Sequence, residues 1–152
     1  MFKVLKTEGN YNNEIGLPLT ILRLKEHNAL VLEMGMSAFG EISLLTHIAK
    51  PTTAVVTIIG SSHIGELGSR ENILKAKLEI LDGMKEKKIV INNDNDLLHK
   101  WYLENEDYNC IKIAYRAKEV SNEDLNVIEN PITNPIAFVI FFFEFLSSLP
   151  IK

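Results

Sequence analysis

Three residues of this chain stand where packing alone does not put them: Glu33, His63 and Lys77. Glu33 lies at the end of the apolar run Ala29–Met34, ALVLEM, which reads as a buried parallel strand. Ligands of open parallel sheets bind outside the carboxyl ends of the strands, so a carboxylate there is a candidate for chemistry. Its ordinary alternative is a salt bridge to a lysine or arginine. His63 follows a second apolar strand, 53–59, inside the Gly-rich turn IGSSHIG. The ordinary alternative is a turn residue bonded to backbone. If the two strands are neighbours, a carboxylate and an imidazole at their ends suit a divalent cation that also holds phosphate oxygens.

Lys77 is the third oddity. The sequence predicts a helix entered near Ser69. At about 100° per residue, Ile73, Leu74, Ala76, Leu78, Ile80, Leu81 and Met84 gather on one side of it. Lys77 falls near the middle of that side, while Lys75, Glu79, Asp82 and Glu86 face away. A buried ammonium needs a partner or loses its charge. The ordinary expectation is that the side chain snorkels past its neighbours to water.

Two other patterns fail on inspection. Residues 35–40 have the G-x-x-x-x-G spacing of a phosphate loop, but Glu41 and Ile42 stand where that motif needs Lys and Ser or Thr. A glutamate there repels phosphate. The run NNDND, 92–96, lacks the glycine and terminal glutamate of a calcium loop and reads better as a turn capping a helix.

The elements that must position these groups alternate. Strands are expected at 2–6, Ala29–Met34, 53–59, Lys88–Asn92 and 110–115. Helices are expected around Pro18 (Leu19, Leu22 and Ile21 or Leu24 inward), over 41–50 (Ile42, Leu45, Ile48 and Ala49 inward), from Ser69, and over NDNDLLHKWYLEN. Such alternation predicts an α/β fold, a mostly parallel twisted sheet with helices on both faces. The run 136–149 stands apart: dense, apolar, and short of the ~20 residues that span a bilayer. A strand, an exposed adhesive tail able to drive self-association, or sequence never selected to complete this domain all fit it, and the abrupt change of composition favours the last.

The 152 residues suit one domain, and a net charge of −4 gives no basic footprint for nucleic acid. The lone Cys110 and an N-terminal stretch without a signal-peptide core fit the cytoplasm.

Four stretches then combine in order and spacing: TEGNYNNEIGLPLTIL, VLEMGMSAFGEISLL, IGSSHIGELGSRENILKAKLEIL and VINNDNDLL. Together they resemble the central domain of the Mur ligases, over residues 2–130. Within that family the resemblance is to the members that join D-Ala-D-Ala to a UDP-N-acetylmuramoyl tripeptide in peptidoglycan synthesis. It implies a Rossmann-like ATPase domain, ATP and Mg2+ as cofactors, and those two molecules as partners. Glu33 resembles the glutamate that binds magnesium near the γ-phosphate, His63 the histidine holding a second magnesium, and Lys77 the lysine carbamylated by CO2, a catalytic group and metal ligand. Asn12 and Asn13 match an Asn pair expected to contact substrate.

The departures set the expectation for activity. In the family the phosphate loop precedes the segment matched by Met1, and two further domains flank the centre. The turn Ile58-Ile59-Gly60 has isoleucine where an asparagine is usual. The resemblance ends near residue 130, so 1–130 is expected to be a partial central domain and 131–152 a divergent tail. The expected function is that of a ligase fragment inactive alone; the alternative is a non-catalytic remnant or interaction module.

Overall fold

The computed structural model describes residues 2–105, 111–115 and 137–142. Six strands form one sheet: β1 (Val4–Lys6), β2 (Ala29–Met34), β3 (Thr53–Val56), β4 (Lys88–Asn92), β5 (Ile111–Tyr115) and β6 (Ala137–Phe142). Their order across the sheet is β1-β2-β6-β3-β4-β5. The first five run parallel; β6 lies antiparallel between β2 and β3. The α/β, mostly parallel sheet expected from the sequence is therefore what the chain forms. The apolar run beyond residue 135 contributes a strand to its centre. β2 and β3 are not neighbours, as the simplest picture of the candidate site required; one strand separates them.

Between the strands stand α1 (Gly16–Ile21), α2 (Glu41–Ala49), α3 (Ile64–Leu67), α4 (Arg70–Leu78), continued by a 3-10 turn (Glu79–Leu81), and α5 (Asp96–Glu104). β1 to β5 follow the chain in one direction across the sheet. Right-handed crossovers then place every connecting helix on the same face. The burial pattern agrees. Leu5, Leu30, Leu32, Met34, Ala54, Val56, Ile89 and Ile91 are buried, and all belong to one cluster with Leu17, Ile42, Leu45, Ile73, Ala76, Ile80 and Leu98 of the helices. The register puts these strand residues on one face: Leu5 pairs with Leu30, Ala54 with Ile89, and Leu32 and Ala54 both with Val139. The alternate residues Val31, Glu33, Val55 and Val90 are only half-buried. Among the described residues the helices thus cover one face of the sheet, not two.

Local chemistry fixes the helix ends. Ser69 caps α4 by accepting from the Asn72 amide at 3.2 Å, and Asn95 caps α5 by accepting from Leu98 at 3.2 Å, as the polar residues before each apolar stretch predict. α1 is shorter than expected and rotated. Leu17 and Thr20 face inward, Thr20 bonding its Oγ1 back to the Gly16 carbonyl at 3.0 Å, while Leu19 and Leu22 are exposed. In α2, Thr46 takes the inward place that periodicity assigns to Ile48, because its hydroxyl donates to the Ile80 carbonyl at 2.8 Å. Gly83 lies against that same helix: a Cβ there would run into the Thr46 carbonyl and the His47 amide. No described helix is long and apolar enough to cross a membrane.

Candidate functional site

The first strand ends in a turn that carries Asn12 and Asn13. Asn13 Oδ1 accepts from the amides of Ile15 (3.2 Å) and Gly16 (2.8 Å) and so starts α1. Asn12 reaches the other way. Its carbonyl accepts from the Gly35 amide at 2.9 Å, and its Nδ2 donates to Glu33 Oε1 at 2.6 Å. The Glu33 amide in turn donates to Thr7 Oγ1 at 2.9 Å. Glu33 is thus held by a neutral amide, not by the lysine or arginine of its ordinary alternative. Gly35 lies close beneath it: a Cβ there would stand 3.0 Å from the Asn12 amide group, which would have to give by a few tenths of an ångström.

Asn12, Asn13 and His63 line one cleft of about 600 Å³ at the carboxyl edge of the sheet. Glu14, Ser37 and Glu41 complete its polar lining; Met36, Leu44 and Leu45 form an apolar wall. No lysine or arginine lines it among the described residues. Its electrostatics therefore suit a cation, or an anion that arrives with one. His63 is exposed and occupies the left-handed region (φ 66°) at the start of α3, which turns the chain from β3 into the cleft wall. Sequence reasoning misses Glu14, Ser37 and Glu41, because only the fold brings three separate loops together.

The Gly-rich loop after β2 is closed to phosphate by the protein's own carboxylates. Glu41 accepts from the Ser37 amide at 2.6 Å, and Glu79 accepts from Gly40 (2.9 and 3.0 Å) and Ser43 (3.3 Å). The amides of Gly40 and Ser43 stand at the N-terminus of α2, where an anion is favoured. Periodicity turns Glu79 to the solvent side; the fold instead uses it to tie α2 to the segment that follows Lys77.

Lys77 does not snorkel. It is 3% exposed, and its ammonium donates to the Ile58 carbonyl at 2.9 Å. Burial lowers its pKa from 10.5 to about 8. The adjacent Ile59 carbonyl accepts from Arg70 Nη2 (3.0 Å) and Asn95 Nδ2 (3.2 Å), and Arg70 also grips Asp96. These side-chain donors fit a β3 that stops at Val56 and not at residue 59: the Ile58 and Ile59 carbonyls accept from side chains of Lys77, Arg70 and Asn95.

The structure therefore gathers Asn12, Asn13 and His63 around the cleft with Glu33 directly behind Asn12. Neither Glu33 nor Lys77 lines the cleft itself: Glu33 is on the helix-free face behind Asn12, and Lys77 is buried on the helix side against the Ile58 carbonyl. Among the described residues no three His, Cys, Asp or Glu side chains are close enough together to hold a metal. Magnesium does not require that, since one or two protein ligands with phosphate oxygens and water suffice.

Known proteins share this fold. Residues 1–140 match the family described as Mur ligase middle domain. The UDP-N-acetylmuramoyl-tripeptide–D-alanyl-D-alanine ligase of Bacillus subtilis is 54% identical over 103 residues, covering 66% of this chain and 22% of the relative. The enzyme of the same name from Synechocystis is 47% identical over 97 residues, 62% of this chain and 21% of the relative. The crystal structure of MurF ligase from Thermotoga maritima in complex with ADP superposes with a TM-score of 0.65 at 37% identity, over 74% of this chain and 26% of that one. MurF from Acinetobacter baumannii gives 0.67 at 29%, over 75% and 25%. The chain spans about a fifth of the length of the two curated relatives. With the family's middle domain matched over nearly all of its residues, and the same fold in solved members, this chain belongs to the Mur ligases.

Proposed function

We propose that this chain is a central-domain portion of a ligase that uses ATP to join D-Ala-D-Ala to a UDP-N-acetylmuramoyl tripeptide, in the cytoplasm, and that it forms no product alone. The observation that carries the reading is the cleft where Asn12, Asn13 and His63 meet in front of Glu33. In this reading the tripeptide carboxylate attacks the γ-phosphorus of ATP, releasing ADP. The amine then attacks the acyl carbon, expelling phosphate and losing a proton. Glu33 and His63 hold Mg2+, which supplies charge neutralisation at the phosphates when bound. Asn12 positions Glu33, and with Asn13 presents amides to substrate.

Lys77 takes its role from burial. With a pKa of about 8, roughly a tenth of its side chain is neutral at pH 7, and that amine can add CO2. The new N–C bond leaves one N–H for the Ile58 carbonyl, releases a proton and replaces a cation with a carboxylate-like anion. The loop chemistry limits what the chain does by itself. The G-x-x-x-x-G loop that leads into α2 has its amides filled by Glu41 and Glu79, and a phosphate-cradling lysine is a large part of phosphoryl transfer.

The test is carbon-13 NMR of the purified protein in labelled bicarbonate. A carbamate resonance that Lys77→Ala removes supports the assignment; no resonance between pH 7 and 9, or one that persists in Lys77→Ala, overturns it. In parallel, product from ATP, UDP-muramoyl tripeptide and D-Ala-D-Ala with this chain alone would refute the expected inactivity.

A further inference from the structure

The run NNDND, 92–96, is no calcium loop, yet it serves two helices at once. Asn95 uses both ends of its amide. Its Oδ1 caps α5 by accepting from the Leu98 amide at 3.2 Å, and its Nδ2 donates to the Ile59 carbonyl at 3.2 Å. A cap needs only the oxygen, so the aim of the nitrogen has a separate cause. Asp96, the next residue, takes the guanidinium of Arg70 with both carboxylate oxygens, at 2.9 and 2.5 Å. Arg70 Nη2 then donates to the same Ile59 carbonyl at 3.0 Å. One backbone oxygen is thus shared by the first residue of α4 and the cap of α5.

That oxygen stands at one end of the segment that carries His63. β3 ends at Val56, and residues 61–66 are all exposed, so packing does little to fix them. Ile59 and Leu67, on either side, are buried. Their carbonyls both accept from side chains of α4, Ile59 from Arg70 and Leu67 from Asn72 Nδ2 at 2.7 Å. α4 therefore grips the segment at its two ends, with the His63 imidazole between them lining the cleft. His63 itself has φ 66°, a conformation that costs a non-glycine residue and persists where the surroundings impose it.

We propose that Arg70 and Asn95 are positioning residues for His63: acting together through the Ile59 carbonyl, they fix where the turn presents its imidazole to the cleft. Their value to the ligase rests on the reading in which His63 holds Mg2+; the placing of the turn does not. Neither residue lines the cleft, and both act through the backbone. The two bonds to Asp96 hold the guanidinium in one plane, so Arg70 meets the carbonyl as a fixed donor. A lysine there is a point charge without that fork and cannot serve carboxylate and carbonyl in the same geometry. Asn95 adds the second donor. Loss of such an outer partner weakens metal binding at the ligand it orients by about ten- to a hundredfold.

The test uses Asn95→Ser, which keeps an oxygen to cap α5 and removes the donor to Ile59, and Arg70→Lys, which keeps the charge beside Asp96. Both are compared with the full parent chain by NMR. Backbone order parameters at residues 60–64 should fall from the rigid range, about 0.85, towards about 0.6 in either variant, while those of α5 stay as in the parent. Mn2+ is then added as the probe, and the concentration that half-broadens the His63 ring signals should rise about tenfold. Unchanged order at 60–64 in both variants overturns the proposal, and so does a loosened turn whose His63 ring answers Mn2+ as in the parent. A parent whose His63 ring ignores Mn2+ sinks the metal reading instead. The order of the turn and the chemical shifts of the ring then decide the positioning role, and variants that match the parent in both overturn it. Should Arg70→Lys unfold the chain, Asn95→Ser carries the measurement by itself.

Discussion

The ammonium of Lys77 lies 2.9 Å from the carbonyl oxygen of Ile58, and this bond ties the buried side of α4 to the turn that carries His63. The group is held in place at a cost, since burial disfavours its charged form.

That cost has a pH signature. The folded-state pKa is about 8 and the ordinary value 10.5, so between those limits the unfolded chain holds more protons than the folded one. Stability therefore rises with pH across that window, by roughly 3 kcal/mol in all, and the penalty is fully present below pH 8. Lys77→Met should flatten the slope. Urea unfolding of both proteins at pH 7.5 to 10.5, in steps of about half a unit, measures it; parallel curves would show that Lys77 is not the titrating group.

Glu79 should matter more than its half-exposed position suggests. Its carboxylate accepts from Gly40 and Ser43 at the start of α2. Glu79→Gln keeps the shape and removes the charge, and a loss of about 1 kcal/mol is expected. Because the loop it anchors lines the cleft, amide exchange at Ser37 to Gly40 should quicken in the same variant. Unchanged exchange there would mean that Glu41 alone holds the loop.

Gly83→Ala tests the packing of α2 on the 3-10 turn. The new methyl would press on the Thr46 carbonyl and the His47 amide, which are backbone and cannot swing aside. A destabilisation of about 2 to 3 kcal/mol is expected. Thermal unfolding reads it directly, and a variant as stable as the parent would show that the two segments can separate freely.

Much of the framework is legible in the order of residues alone. β2 and β4 occupy the residues that their apolar runs predict, and Ser69 and Asn95 cap the helices that follow them. These signals are local. What escapes is non-local. β3 stops early where Lys77, Arg70 and Asn95 donate to the carbonyls beyond it, an arrangement invisible along the chain. The place of residues 137–142 depends on a gap between two other strands, β2 and β3, and composition alone favours leaving them outside the domain. The short helix α3 hides inside a glycine-rich turn.

The candidate site divides the same way. Glu33 and His63 stand out in the sequence itself, Asn12 and Asn13 only through the family resemblance; Asn12, Asn13 and His63 line one cleft, with Glu33 bonded to Asn12. Glu79 is misread because periodicity knows only inside and outside, and this carboxylate caps a neighbouring helix. Lys77 is expected to reach water, but the Ile58 carbonyl offers a nearer partner.

Because the described helices all lie on one side of the sheet, adjacent residues of a strand are subject to different rules of inheritance. Leu32, Ala54 and Ile89 face a packed layer in which a single methylene is felt. Val31, Val55 and Val90, one step away, answer mainly to the pleat and tolerate any residue that fits it. Replacements should therefore be accepted at Val31, Val55 and Val90 more readily than at their neighbours, while Glu33, on the same open face, is held by its bond to Asn12 and not by packing.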